Sequence, residues 1–267
     1  MSAAILQRVI VRMLHDPELR AAVYTDPDRA LADLPLTPGE RRSLLAPDAR
    51  AWGIDEHRAD RVLAALLEEH PVSALVLLEE GIALARFHRF FQSRFFHDAI
   101  MARRSLAPAF TDYLGTLAGS ARAHAMIALE AAIATLRRRS LAAPAPSPGR
   151  LVAASHLQPV SLAAGTLAAW ERARKHLGGT SAAAILVRPK RPKVAAVDPR
   201  TTEWVLLERQ GDDTVAGYIG DALGQLLQLA ERPVSRDLLI DLALKEGASQ
   251  AEAAEIIDDL VSEGLLS

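Results

Sequence analysis

Apolar residues recur at helical spacing through the first 143 residues. Ile5, Val9 and Met13 stand four apart and predict a first helix over about residues 3–14. Asp16-Pro17 and Asp26-Pro27 each restart a helix, because aspartate caps the free N–H groups and proline fits the first turn. The helices they open are expected to reach Tyr24 and Leu34. Thr37-Pro38-Gly39-Glu40 has the capping-box spacing ahead of Leu44 and Leu45. Residues 55–69 are amphipathic, and Pro71 ends that helix by turning His70 away from the helical region. A longer helical stretch, of one helix or more, covers 73–107, and a further helix covers 120–139. Ala, Leu, Arg and Glu, the strongest helix formers, dominate throughout.

The pattern breaks at Ala142-Ala143-Pro144-Ala145-Pro146-Ser147-Pro148-Gly149, where three prolines in eight residues exclude helix and central strand. Beyond it, 151–162 predicts one or two strands and 168–177 a short helix. Trp204 to Arg209, a turn at Gly211-Asp212-Asp213, and Thr214 to Tyr218 read as a hairpin. Three helices follow, near 221–230, 236–245 and 250–263. Ser235 and Ser249 stand at N-cap positions, and Gly247 and Gly264 stand at C-terminal stops. The expected fold is mainly α with a small α+β part. A helical domain (1–143) is followed by a Pro-rich boundary and basic connector (144–200), then by a small winged-helix domain (201–267).

Length and charge sharpen this. The 267 residues suggest two domains on a prior of about 150 each. The net charge of −2 hides an asymmetry. Arg137 to Lys193 holds 11 Lys and Arg against one acid, Glu171, whereas Val194 to Ser267 holds 15 acids against five bases. A basic connector and an acidic end suit different partners. No cysteine is present, which excludes a disulfide scaffold, a thiolate metal site and a cysteine nucleophile. No apolar run reaches the roughly 18 to 20 residues of a membrane span, so a cytoplasmic protein is expected.

Five of the six phenylalanines lie between Phe87 and Phe96. On one continuous helix, Phe87, Phe91 and Phe95 would form a stripe with Phe90 beside it, while Phe96 would point half a turn away. Rings spread so widely need two covering surfaces. Either the domain buries both sides itself, or one side docks a protein partner. Arg86, Arg89 and Arg94 interleave with the rings, and aromatic residues and arginine are enriched at interfaces. Phe87, Arg89, Phe90, Phe91, Arg94, Phe95 and His97 are the docking candidates.

Catalytic signatures are scarce. The phosphate loop, the serine elbow and the zinc helix motif are all missing. No two of the eight histidines are three or four residues apart, so no helix face offers a ready metal pair. Gly217, Gly220 and Gly224 are wrongly spaced for a dinucleotide loop and suit a turn and close packing. No catalytic residue, cofactor or metal ligand is expected. An enzyme would need His88 or His97 in a cleft with a carboxylate. DNA binding is disfavoured, since the helix at 250–263 carries Glu252, Glu255, Asp258, Asp259 and Glu263 and no base. Peptide capture is the remaining use of such a module. Thr214, Val215, Ala216, Gly217 and Tyr218 would form an edge that accepts an extended peptide. Ile256, Ile257 and Leu260 would wall a groove or else fill the core, and the acidic rim would favour a peptide with Lys or Arg. A transcriptional or signalling adaptor with a helical sensor domain is the alternative.

Certain residues also carry a resemblance. Trp204-Val205-Leu206-Leu207, then Val215, Tyr218 and Ile219, then Gly224-Gln225-Leu226-Leu227-Gln228-Leu229, and the close Ala254 to Leu266 with its final Gly-Leu-Leu, resemble the PqqD-like RiPP recognition element. That resemblance implies a small winged helix that binds the leader of a ribosomally made precursor peptide as an added strand. Asp16-Pro17-Glu18-Leu19-Arg20 through Pro35-Leu36-Thr37, and the Phe-rich region with Asp112-Tyr113-Leu114, are similar to partner subunits of multinuclear non-heme iron-dependent oxidative enzymes of the methanobactin and 3-thiaglutamate type. The implied function is a non-catalytic partner in a heterodimer. The iron would belong to a separate TIM-barrel enzyme, and this chain would bring it the peptide.

Overall fold

A computed structural model describes residues 2–53, 57–140, 149–178, 184 and 192–267. They divide into two units, Met1–Gly119 with Leu177–Lys193, and Ser120–His176 with Val194–Ser267. The whole is mainly helical with a small antiparallel sheet. Among the described residues no helix is long and apolar enough to cross a membrane.

The first unit is helical. It contains α1 (Ser2–His15), α2 (Pro17–Thr25), α3 (Pro27–Ala30), α4 (Pro38–Leu45), α5 (Arg58–Glu69), α6 (Pro71–Glu79), α7 (Leu84–His88), α8 (Arg94–Ala102) and α9 (Leu106–Leu117). The caps form as the sequence predicts. The Asp16 carboxylate accepts from the N–H groups of Glu18 (2.9 Å) and Leu19 (3.0 Å), and Thr37 with Glu40 closes a capping box. Helix α3 is shorter than expected and stops at Ala30. Val9, Met13, Val23, Leu31, Leu36 and Leu44 form one buried cluster.

The expected long stretch at 73–107 is interrupted. Helix α6 ends before Gly81, which adopts φ +87°. A 3-10 turn at Arg89–Gln92 separates α7 from α8. Ser93 makes the restart, because its hydroxyl donates to the Phe90 carbonyl (2.6 Å) and accepts from the Phe96 N–H. A serine that bonds both ways across a break offers the backbone an alternative to continuous helix.

The second unit is built on a sheet. It contains α10 (Ala121–Arg138), β1 (Arg150–Leu151), β2 (Leu157–Ala164), α11 (Thr166–Leu177), β3 (Asp198–Gln210), β4 (Asp213–Ile219), α12 (Asp221–Leu229), β5 (Val234–Ser235), α13 (Arg236–Lys245) and α14 (Gln250–Ser262). Strands β2, β3 and β4 pair antiparallel in that order. On one face, Val205 and Leu207 meet Leu129, Ala132, Ile133 and Leu136 of α10 and Leu167 of α11. On the other, Leu206 and Ile219 pack against the cluster of Leu226, Leu227, Leu239, Ile240, Ile257 and Leu260. Trp204 shares that second face and lies against Gly224.

This partition differs from the expected domains. Helix α10, assigned from sequence to the helical domain, belongs to the sheet unit, as do β1, β2 and α11. The reason lies in β3. Trp204-Val205-Leu206-Leu207 is apolar on both faces, and a domain starting at residue 201 would leave Val205 and Leu207 in water. Residues 142–148 of the proline-rich boundary lie outside the described residues. The segment from Arg150 does join the C-terminus. Val152 and Ser267 exchange backbone hydrogen bonds of 2.9 Å, and Ala154 N–H donates to Leu265 O at 3.0 Å.

Candidate functional site

The geometry of β4 follows from its turn. Gly211 and Asp212 alone connect β3 to β4, with Gly211 at φ +65°, so Gln210 and Asp213 form the closing hydrogen-bonded pair of a two-residue hairpin. Alternation then sets every later pair. Val215, Gly217 and Ile219 exchange hydrogen bonds with Glu208, Leu206 and Trp204. Thr214, Ala216 and Tyr218 turn their N–H and C=O groups to the outer edge. Among the described residues no strand pairs with that edge.

The two edges of the sheet differ. Strand β2 contains Pro159, which has no N–H, and an irregularity between Ala163 and Ala164, both of which blunt an edge. Strand β4 has no proline, no lysine and no bulge. It is also apolar where it meets water, with Val215 48% exposed and Tyr218 58% exposed. These two point to opposite faces of the sheet. Partial burial, with the Glu203 and Glu171 carboxylates adding to it and the Ala168 N–H opposing, raises the Tyr218 phenol above its ordinary value. Glu203 is fixed in turn, because its oxygens accept from the N–H groups of Gly165 (2.7 Å) and Leu167 (2.8 Å) at the start of α11.

The three helix residues expected to wall a groove separate. Ile257 is wholly buried in the core and is unavailable to a ligand. This is what the helical period demands, since Ala253, Ile257 and Leu260 share the inward face. Ile256 and Leu260 do line a groove of about 400 Å³, with Ala222, Leu223 and Leu226 of α12, Ala243 of α13, Ala248, and the acidic residues Glu246 and Asp259. No β4 residue lines it. The contribution of α12 was not foreseen. Its signal was Ala222 and Leu223 placed one turn before the buried Leu226.

In the first unit, the rings expected to dock a partner are mostly core. Phe87, Phe90, Phe91 and Phe96 are buried. Phe90 sits at the centre, 5.1 Å from Phe110, 5.5 Å from Phe91, and 5.6 Å from both Phe96 and Tyr113. Each such ring stabilises the fold by about 1.5–3 kcal/mol through burial, so Phe87, Phe90 and Phe91 are removed from the docking set. The stripe they were to form does not exist, because the backbone breaks between them. Arg89 and Arg94 are exposed, and Phe95 is half-buried with the Arg94 guanidinium 5.3 Å from its ring centre.

His97 is engaged from both sides. Its Nδ1 is 3.1 Å from Arg12 Nη2 and its Nε2 is 2.9 Å from Asp16 Oδ2, the second approach lying off the hydrogen-bond axis. A guanidinium only donates, so Nδ1 accepts and the ring proton sits on Nε2. Burial pushes the Asp16 carboxyl up. The contact with His97 and the two N-cap bonds outweigh it and hold the carboxyl below its ordinary 3.8. His88 Nδ1 lies 3.6 Å from Asp60, which also faces His57 at 3.2 Å. Among the described residues no three His, Cys, Asp or Glu side chains gather to hold a metal ion. No protein-family model matches the chain, and no curated protein is detectably similar to it.

Proposed function

We propose that the chain is a non-catalytic partner protein that captures the leader of a ribosomally made precursor peptide. The leader adds to β4 as a further strand, paired through Thr214, Ala216 and Tyr218. The β3–β4 hairpin followed by three helices supports reading this part as a PqqD-like winged helix, with β2, set off from β3 by α11, as the third strand of its sheet. The observation that carries the proposal is the contrast between the blunted β2 edge and the β4 edge, which is open, apolar and free of proline.

The helical unit, in this reading, docks through Arg89, Arg94 and Phe95 on a separate TIM-barrel enzyme of the multinuclear non-heme iron-dependent oxidative type. That enzyme holds the iron and performs the oxidation, while this chain acts in the cytoplasm without a cofactor, nucleic acid or membrane. Holding the leader raises the effective concentration of the distal core residue at the enzyme.

Co-expression with the adjacent open reading frames, purification through a tag on this chain, mass spectrometry and iron analysis test the proposal together. The expected result is a complex with an iron-containing barrel protein that binds a short precursor peptide. A metal-free chain that purifies alone and ignores the local peptide would overturn it.

A further inference from the structure

The groove between α12, the end of α13 and α14 is set apart from the β4 edge. Its floor is aliphatic, from Leu223, Leu226, Ile256 and Leu260, with Ile256 38% exposed. Its volume of about 400 Å³ is at the low end of the range for pockets that enclose a ligand, about 300–1,000 Å³. Two acidic residues, Glu246 and Asp259, are among those that line it. Among the described residues neither is paired with a cation. The neighbouring Asp258 does have such a partner, since Arg236 Nη2 reaches its Oδ1 at 2.7 Å. Helix α14 carries four acids and no base.

An aliphatic groove that unpaired acidic residues also line selects its occupant by charge as well as by shape. We propose that this groove is a second peptide subsite, which takes one large apolar side chain of a segment carrying lysine or arginine beside it. The inference rests on the peptide-capture reading and adds to it the chemical class of the peptide. The apolar side chain fills the space over Ile256 and Leu260, and the flanking cations meet Glu246 and Asp259. The acidic charge steers the encounter and weakens with salt, whereas the apolar contact does not.

The test uses the full chain and three fluorescein-labelled dodecapeptides read by anisotropy. One has a leucine flanked by lysines, a second has glutamates in place of the lysines, and a third has alanine in place of the leucine. The lysine-leucine peptide is expected to bind at least about tenfold more tightly than either control. The double charge reversal E246K/D259K should invert the preference between lysine and glutamate peptides, and Ile256→Ala should weaken the preferred peptide severalfold. Tyr218→Pro, which alters the β4 edge alone, should leave these affinities unchanged. Equal binding of all three peptides, a preference that survives the charge reversal, or no binding at about 1 mM would overturn the inference. Affinity lost in Tyr218→Pro and kept in E246K/D259K would move the peptide to the edge, which removes the groove subsite and leaves the edge reading standing.

Discussion

Trp204 of β3 lies so close over Gly224 of α12 that a methyl group at position 224 would fall 2.3 Å from Cδ2 of the indole. The ring fills the place where the glycine has no side chain, and this lets the first helix after the hairpin settle on the sheet. Gly224→Ala is therefore expected to destabilise the second unit by about 1–3 kcal/mol through overpacking. Denaturant unfolding measures it. The same substitution in a Trp204→Leu background should cost clearly less, because the coupled partner is gone.

The edge of β4 makes an alternating prediction. Proline at Val215 removes a ladder donor to Glu208 and should cost about 1–3 kcal/mol. Proline at Tyr218 removes only an outward donor, so the fold should survive while leader binding weakens. Unfolding curves of the two variants, taken with leader titrations, check both halves.

Asp16 links a helix cap to His97, and its carboxyl is held below the ordinary 3.8. A depressed carboxyl contributes stability that is fully present above its unfolded value and disappears as pH falls through its folded value. Asp16→Asn keeps a good cap and removes the charge. It should destabilise the first unit by about 1–3 kcal/mol at pH 7. The gap to the parent should narrow progressively below about pH 4. A constant gap from pH 7 to pH 2 would contradict this assignment.

Arg103 ends α8 at φ +55°, the one non-glycine residue with positive φ among those described. Its position is the usual glycine stop of a helix, where a side chain costs about 1 kcal/mol. Arg103→Gly should raise stability by about that amount in thermal or denaturant unfolding.

Local signals were the most legible part of the sequence. Asp16, Thr37, Ser235 and Ser249 cap helices where predicted, and Gly247 and Gly264 carry positive φ at their ends. The hairpin and its edge were readable from Gly211-Asp212 and the β residues around it. Tertiary choices were not. Helical spacing alone could not show that Ser93 breaks the backbone amid the phenylalanines, nor that α10 covers a sheet. The hint lay in Val205 and Leu207, a second apolar face with no cover near it in sequence. Ile256 and Ile257 are adjacent, so only one could face the groove, and the spacing from Ala253 and Leu260 decides which.

Backbone amide exchange, followed by NMR on the full chain with and without the co-encoded precursor peptide, tests strand addition most directly. The account predicts new protection at the amides of Thr214, Ala216 and Tyr218, with Val215 and Gly217 little changed because β3 already protects them. Peptide that binds while those three amides exchange as before would contradict it.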